Sequence, residues 1–287
     1  MKKIIVTGGA GFIGSRFVRL CLEKGHAVQI IDKLTYASDV NRLPVTTGYT
    51  ILEKDICDVV PDDIKDFDYI VNFAAETHVD NSIKDGKPFI RSNVEGVFNL
   101  IEQSRNVGIK KFIQISTDEV YGDILEGESK ETDNLNPSSY YSATKASADM
   151  LVLSAYRTYG LPYIITRTCN NFGPGQHEEK FVPKIIKCLK NNLPIPVYTP
   201  GTQKREWIHV DDNCQAIYNI MMSDKINEIY NIGSKDRYTN LEIISKLDKD
   251  NKAIIELVED RLGHDTRYAL DSSKYTKEFG NIVTKNF

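Results

Sequence analysis

Short apolar runs recur through the first 168 residues, and the stretches between them show the apolar spacing of helices. In the first such stretch, Phe17, Leu20 and Cys21 share one helical face. Continuous apolar strands that alternate with helices predict an α/β fold, a Rossmann-type doubly wound parallel sheet with helices on both faces. The runs that we interpret as strands cover residues 4–6, 28–31, 69–73, 112–115 and 163–166.

The rhythm changes after about residue 168, where Pro and Gly interrupt the chain more often and the apolar runs lie further apart. We therefore predict a Rossmann domain over residues 1–168, with part of 207–232 folding back onto it. Residues 169–287 would mainly form a smaller α/β domain. Ligands of open α/β sheets bind at the carboxyl ends of the strands, so we expect the site in the cleft between the two domains.

Composition excludes several functional classes. The chain has 287 residues and a net charge of −4 without a basic block, which disfavours nucleic acid and acidic membrane surfaces as partners. It lacks an apolar run of the roughly 20 residues that span a bilayer, and its Met-Lys-Lys start leads directly into a strand, which predicts no signal peptide. Five scattered cysteines without CxxC and five scattered histidines indicate a cytoplasmic protein with neither disulfides nor a metal site.

A glycine-rich segment directly follows the first predicted strand and opens a helix. Gly8, Gly11 and Gly14 form a GxxGxxG spacing, which lets the backbone approach a pyrophosphate at the helix N-terminus. Asp32 ends the second predicted strand, where a carboxylate binds a ribose 2′-hydroxyl and repels a 2′-phosphate. This pattern predicts NAD as cofactor and favours it over NADP, although the neighbouring Lys33 weakens the second inference.

Two further segments carry candidate chemistry. Tyr141 and Lys145 are four residues apart at the start of a long predicted helix and so share a face, whereas Tyr140 lacks this spacing. An ammonium near a phenol lowers the phenol's pKa from its usual value of about 10, and such a Tyr can deprotonate a sugar hydroxyl. Asp118 and Glu119 are adjacent carboxylates just after a buried strand, where we expect them to face the cofactor.

These segments, read in order, resemble the dTDP-glucose 4,6-dehydratases of the extended short-chain dehydrogenase family. The resemblance runs from residue 4 to about 275. Its specific part is Thr117-Asp118-Glu119, because related epimerases and decarboxylases share the Tyr and Lys but lack this triplet. The other matching segments are the glycine loop, DKLTYA (32–37), Asp55-Ile56, FAAETHVD (73–80), YSATK (141–145), NNFGP (170–174), EKFVP (179–183), REW (205–207) and DRLGHD (260–265).

The resemblance implies a redox-neutral cycle that yields a 4-keto-6-deoxy sugar nucleotide for deoxysugar (rhamnose-like) biosynthesis. Thr117 and Tyr141 would hold and deprotonate the C4 hydroxyl while NAD accepts the hydride that it later returns to C6. Glu119 would remove the C5 proton, which the C4 ketone acidifies, and Asp118 would protonate the departing C6 hydroxyl. Adjacent carboxylates with opposite roles need separated pKa values, so we expect Asp118 to be the protonated one.

The resemblance also assigns binding residues by position. Beyond the glycines, Tyr141 and Lys145, the residues expected to bind NAD are Phe12, Ile13, Asp32, Lys33, Leu34, Thr35, Asp55, Ile56, Ala74, Ala75, Ser92 and Asn171. Besides Thr117, those expected to bind the nucleotide sugar are Thr77, Asn170, Lys180, Phe181, Val182, Pro196, Val197, Tyr198, Arg205, Arg261 and His264. Arg205 suits a diphosphate because its planar guanidinium can make paired hydrogen bonds to phosphate oxygens.

Departures from the family pattern leave the substrate open. Residues 198–201 read Tyr-Thr-Pro-Gly in place of a glycine-rich turn, and Ser234 stands where a second glycine is usual. The substrate could therefore be dTDP-glucose, UDP-glucose or UDP-N-acetylglucosamine.

Two other functions remain as alternatives to a dehydratase. One is a nucleotide-sugar 4-epimerase or decarboxylase, which Asp118-Glu119 disfavours. Another is a non-catalytic NAD(H)-responsive regulator, which an intact Thr117, Tyr141 and Lys145 disfavour.

A homodimer is predicted from two helices that are apolar on more than one face, since a second apolar face usually packs on a partner. The residues concerned are Val94, Val97, Phe98, Ile101, Ala143, Ala146, Met150 and Leu153. In the resembling family this helix pair forms a four-helix dimer contact.

Overall fold

The computed structural model describes residues 1–285 and 287. Its central sheet has seven parallel strands in the order β10-β6-β5-β4-β1-β2-β3. Most of these strands are buried along their length, which explains their continuous apolar runs. The edge strand β3 is largely exposed, and for this reason its sequence does not stand out as apolar. The strands are β1 Lys3–Thr7, β2 Ala27–Asp32, β3 Tyr49–Glu53, β4 Tyr69–Asn72, β5 Lys111–Thr117, β6 Tyr163–Thr168 and β10 Glu228–Ile232.

Helices cover both faces of this sheet and form a core on each. One core contains side chains of α1, α8 and α10, and the other contains side chains of α2, α5 and α6. A π-helical turn at Arg91–Glu95 joins α4 to α5 without a break. The helices are α1 Phe12–Glu23, α2 Pro61–Ile64, α3 Val79–Lys84, α4 Lys87–Ile90, α5 Gly96–Val107, α6 Tyr140–Tyr159, α8 Val210–Met222 and α10 Ser273–Phe279.

A smaller α/β unit follows β6 and has its own core, centred on Ile185, Val197, Trp207 and Ile243. It holds a three-stranded sheet, β11-β9-β7, and a two-stranded parallel sheet of β12 and β8. Its elements are β7 Asn170–Phe172, α7 Phe181–Asn191, β8 Ile195–Tyr198, β9 Lys204–His209, β11 Arg237–Thr239, α9 Asn240–Leu247 and β12 Ile255–Val258. The predicted Rossmann-type fold class with a smaller α/β part is confirmed.

The chain returns to the first sheet after β9, since α8 packs against α1 and β10 extends the sheet beside β6. The carboxyl ends of β1 and β4 lie side by side where the strand order reverses. Ligands of doubly wound sheets bind at this reversal, so the fold places the cleft there. Among the residues described, no helix is both long and apolar enough to cross a membrane.

Candidate active site

The glycine loop between β1 and α1 has no room for side chains. A Cβ on Gly14 would lie 2.3 Å from the carbonyl oxygen of Gly8, and a Cβ on Gly8 would lie 2.7 Å from the backbone nitrogen of Ala74. Gly8 also has a φ of +64°, which favours glycine. Gly11 caps α1 without a side-chain acceptor, so the first N–H groups of the helix face the cleft. This cradle fits the pyrophosphate of a dinucleotide.

Three donors fix the carboxylate of Asp32 at the carboxyl end of β2. The N–H of Ala10 donates to Oδ2 at 3.0 Å, and the N–H of Leu34 and the hydroxyl of Ser38 donate to Oδ1 at 2.9 and 2.8 Å. An anchored carboxylate at this position suits a ribose diol and repels a 2′-phosphate. Leu34, which has a φ of +51°, therefore holds Asp32 through its backbone N–H, and it is not among the residues that line the cleft.

Lys33 does not offer a free cation for a 2′-phosphate. Its Nζ donates to the hydroxyl of Ser92 at 2.8 Å and lies 3.3 Å from the carboxylate of Glu76. The neighbouring lysine therefore does not reverse the preference for NAD that Asp32 indicates.

The candidate catalytic residues meet where β5 ends and α6 begins. Ser139 caps α6 by accepting from the N–H of Ser142, which fixes the helix start just before Tyr141. The hydroxyl of Thr117, the last residue of β5, donates to Oδ1 of Asp118 at 3.1 Å. One cleft is lined by five predicted catalytic side chains from these two elements and the turn between them: Thr117, Asp118, Glu119, Tyr141 and Lys145.

The two adjacent carboxyl groups have different environments. Burial raises the pKa of Asp118 well above its usual range, and the nearby Glu119 and Glu206 raise it further. Burial also raises the pKa of Glu119, but the cations Arg261, Arg205 and Lys180 oppose that rise. These environments favour the protonated carboxyl form more strongly at Asp118 than at Glu119.

Tyr141 and Lys145 are both buried on one face of α6. Burial raises the pKa of Tyr141, and Glu119 and Asp118 add to the rise, so the shift is opposite to the one that the spacing predicts. Lys145 Nζ donates to the carbonyl of Ile115 at 2.5 Å. Burial lowers the pKa of Lys145 from 10.5 to about 8.

The predicted sugar-nucleotide residues divide into two groups. Thr77, Asn170, Lys180 and Phe181 line the cleft, whereas Val182, Pro196, Val197, Tyr198, Arg205, Arg261 and His264 lie outside its described lining. Val182 and Val197 are buried in the core of the smaller unit, so only their backbone could reach a ligand.

Four other members of the outer group, Tyr198, Arg205, Arg261 and His264, are held by contacts within the protein. The hydroxyl of Tyr198 donates to Oδ2 of Asp80 at 2.8 Å, and Nη1 of Arg261 lies 3.5 Å from Oδ1 of the same carboxylate. The Tyr198 ring contacts His264 edge-on. Arg205 is held by backbone carbonyls and stacks on Tyr268, with its guanidinium 4.3 Å from the ring centre. These side chains contact other parts of the protein, and not the cleft in which we predicted them to bind substrate. Arg205 and Arg261 are nevertheless near enough to Glu119 to oppose the rise in its pKa.

The predicted NAD residues are gathered in the same cleft, with Leu34 as the exception given above. Those that line it are Gly8, Gly11, Phe12, Ile13, Gly14, Asp32, Lys33, Thr35, Asp55, Ile56, Ala74, Ala75, Ser92, Tyr141, Lys145 and Asn171. The cleft encloses about 340 Å³, within the range of small-molecule sites. Among the described residues, no group of three or more His, Cys, Asp or Glu could hold a metal ion.

Residues 4–233 match the model of the NAD dependent epimerase/dehydratase family. The chain belongs to this family. It is 48% identical over 289 residues to the low-salt glycan biosynthesis protein Agl12 of Haloferax volcanii, covering 96% of this chain and 92% of that protein. It is 41% identical over 292 residues to a dTDP-glucose 4,6-dehydratase of Streptomyces niveus, covering 97% and 87%.

A solved structure agrees with these sequence matches. The crystal structure of DesIV, a dTDP-glucose 4,6-dehydratase from Streptomyces venezuelae with NAD and TYD bound, aligns with a TM-score of 0.96 at 39% identity, covering 99% of this chain and 93% of DesIV. The predicted resemblance to these dehydratases is confirmed, as are the assignment to the enzymes of this family and the NAD dependence that the family carries.

Several cleft residues of this family member are not evident from the sequence. Glu76, Gln176, His177 and Glu179 line the cleft but are ordinary surface residue types. Asn93 is buried in the π-helical turn, where its amide accepts from the N–H of Glu76 and donates to the carbonyl of Glu76 and to Thr144. A π-helical turn often marks a functional site, but the sequence carries no signal for it.

Proposed function

We propose that this family member dehydrates a nucleotide-linked hexose to its 4-keto-6-deoxy form, with NAD as an internally recycled cofactor. The observation that carries the proposal is the pairing of two carboxyl groups in unlike environments, Asp118 and Glu119, next to Tyr141 and Lys145 in one cleft. An epimerase has no elimination step and therefore no need of a separate acid and base.

The residues divide the proton transfers among them. The glycine loop and Asp32 would hold NAD, which would supply a hydride acceptor for C4 and a hydride donor for C6. Tyr141 removes the C4 hydroxyl proton, with Thr117 holding the same oxygen. Because burial disfavours its phenolate, Tyr141 depends on the positive charge of Lys145 one helical turn away.

Elimination follows at the neighbouring carbons. The C4 ketone acidifies the C5 hydrogen, and Glu119 accepts that proton. Burial raises the pKa of Glu119 and so strengthens its carboxylate as a base, while nearby cations oppose the rise. Asp118 is protonated and donates to the C6 hydroxyl, which leaves as water. When the hydride returns to C6, C5 takes up a proton, which the protonated Glu119 supplies. The closeness of Glu119 and Asp118 lets both steps take place on one bound substrate.

We infer that dTDP-glucose is the preferred substrate, on the strength of the dTDP-glucose 4,6-dehydratases that match nearly the whole chain. Product analysis tests this directly. Purified protein is incubated with dTDP-glucose, UDP-glucose, UDP-N-acetylglucosamine and UDP-glucuronic acid, and the products are identified by mass spectrometry and NMR. We expect loss of one water and a 4-keto-6-deoxy sugar. Retention of mass with inversion at C4 would establish an epimerase, loss of carbon dioxide from a nucleotide-linked uronic acid a decarboxylase, and no turnover of any sugar a regulator.

We propose that NAD stays bound through purification, because the glycine cradle and the cleft walls enclose it. The denatured protein should release NAD at a sizeable fraction of one equivalent per chain. Release of NADP would contradict the role proposed for Asp32.

We also propose a homodimer through α5 and α6, which pack side by side. Phe98 and Met150 are 53% and 47% exposed, and Ile90 just before this pair is 46% exposed. Val97, Ile101 and Ala146 are buried within the chain, so the apolar face available to a partner is narrower than the sequence predicts. Light scattering at micromolar concentration should show a dimer, and Phe98→Glu should weaken it. A wild-type monomer would refute the proposal.

A further inference from the structure

An ion pair without solvent contact lies behind the candidate catalytic residues. Nε of Arg167 is 3.0 Å from Oδ2 of Asp149, and the two side chains are 2% and 0% exposed. Nη1 of Arg167 also donates to the hydroxyl of Tyr121 at 2.9 Å, which in turn donates to Asn231 at 2.8 Å. The arginine is therefore held from two sides, and the carboxylate of Asp149 is held by the arginine.

The fold places this pair next to Lys145. Asp149 is four residues after Lys145 on α6, so both side chains are on the helix face that packs on the sheet. Arg167 is opposite Ser116 in the register of β5 and β6, and Lys145 donates to the carbonyl of the preceding residue, Ile115. Asp149 therefore interacts with a cation of β6 on one side and with the ammonium of Lys145 on the other.

Stability alone does not account for such a pair. Removing two charges from water is costly, and apolar replacements of buried ion pairs are often as stable or more so. Lys145, in contrast, needs a negative neighbour, since burial lowers its pKa to about 8 and Asp149 opposes that fall.

Charged groups on the elements that pack against α6 act on Tyr141 and Asp149. Asp118 and Glu119, after β5, act on Tyr141, and Arg167 on β6 acts on Asp149. Burial raises the pKa of Asp149 itself, and Arg167 and Lys145 both lower it.

We propose that Asp149 is a positioning residue which, held in place by Arg167, keeps Lys145 protonated beside Tyr141. This inference rests on the proposed function, in which the cation of Lys145 supports proton transfer by Tyr141. It assigns a role to a carboxylate that does not line the cleft and that no substrate atom reaches.

The titration of Lys145 tests the proposal without any turnover. The NAD-loaded protein is labelled with ε-13C lysine, and Lys145 and Lys111 are assigned from the resonances missing in Lys145→Met and Lys111→Met. In Asp149→Asn, which keeps an acceptor for Arg167, the Lys145 midpoint should fall by about one pH unit or more, as expected for loss of an opposite charge about one helical turn away. Lys111 is an internal control, because it is buried at the far end of β5 and donates to α8 carbonyls.

A second pair of variants covers the risk that Asp149→Asn does not fold. Asp149→Asn with Arg167→Met removes both charges of the ion pair, so it leaves no unpaired arginine, and should also lower the Lys145 midpoint, whereas Asp149→Glu should keep it near the wild-type value. An unchanged Lys145 midpoint in the folded variants would overturn the proposal, and so would an equal shift of Lys111.

Turnover provides the final comparison. The alkaline limb of the pH profile for Asp149→Asn should move to lower pH by the same amount as the Lys145 midpoint. A uniform loss of activity at every pH, with no shift of the limb, would indicate a structural role and refute the proposal. If the wild type converts none of the nucleotide sugars, the proposed function fails, while the lysine titration still decides the role of Asp149.

Discussion

Replacing Glu119 with Gln separates the first step of the proposed reaction from the second. The amide keeps the size and hydrogen-bonding capacity of the side chain but cannot accept the C5 proton. Each of the three cations that act on Glu119 has another partner among the described residues, so the substitution leaves none of them unpaired. We therefore expect a folded protein that still binds NAD.

The size of the effect follows from the role of the residue. General-base catalysis contributes about 10²–10⁴-fold, which corresponds to about 3–5 kcal/mol in the barrier to elimination. Oxidation at C4 should survive, because Thr117, Tyr141 and Lys145 are unchanged. Mixing Glu119→Gln with dTDP-glucose should then give a near-ultraviolet absorbance of reduced nicotinamide that rises and persists, up to one equivalent per active site, with little dehydrated product.

Two control variants make this result specific. Tyr141→Phe should show no absorbance rise, since the first proton transfer fails, and Glu119→Asp should recover part of the dehydration because it keeps a carboxylate. Normal dehydration by Glu119→Gln would show that another group is the base and would refute the role proposed for Glu119. A slow absorbance rise alone does not decide the matter, because the introduced amide also changes the field at Asp118 beside it.

Three further predictions follow from the site. Turnover should decline as the pH rises through about 8, because the pKa of Lys145 is lowered to about that value and the ammonium loses its charge above it. A pH–rate profile that is flat across this range would contradict the requirement for the cation. Gly14→Ala should lose most of the retained NAD, since its Cβ would lie 2.3 Å from the Gly8 carbonyl oxygen, and the NAD released from denatured protein measures this loss. Gly25→Asn is the control, because a Cβ at Gly25 would meet no atom within 4 Å. Asp32→Ala should weaken NAD binding by about tenfold to a hundredfold, as expected for loss of a charged hydrogen bond of about 1.5–3 kcal/mol. Direct titrations should also show a smaller difference between the affinities for NAD and NADP.

The sequence by itself determined the features that depend on local geometry. The glycine loop, the carboxylate that ends β2 and the helix that carries Tyr141 and Lys145 are short segments whose conformation follows from a few neighbouring residues. Apolar runs along the chain likewise indicated a parallel sheet, because a strand buried on both faces has few polar positions. The Thr117-Asp118-Glu119 triplet pointed to elimination chemistry through the resemblance to the dehydratases, whose pattern these consecutive residues match.

Only the tertiary structure decided the charges within the site. Whether Asp118 or Glu119 is the acid depends on burial and on cations from distant parts of the chain, and no local pattern shows that Arg205 and Arg261 face Glu119. The direction of the pKa shift at Tyr141 was likewise not predictable, because desolvation is set by everything packed around the phenol. Electrostatic energies in a protein depend on distances through space and on exclusion of water, and both arise only when the fold brings the separate segments together.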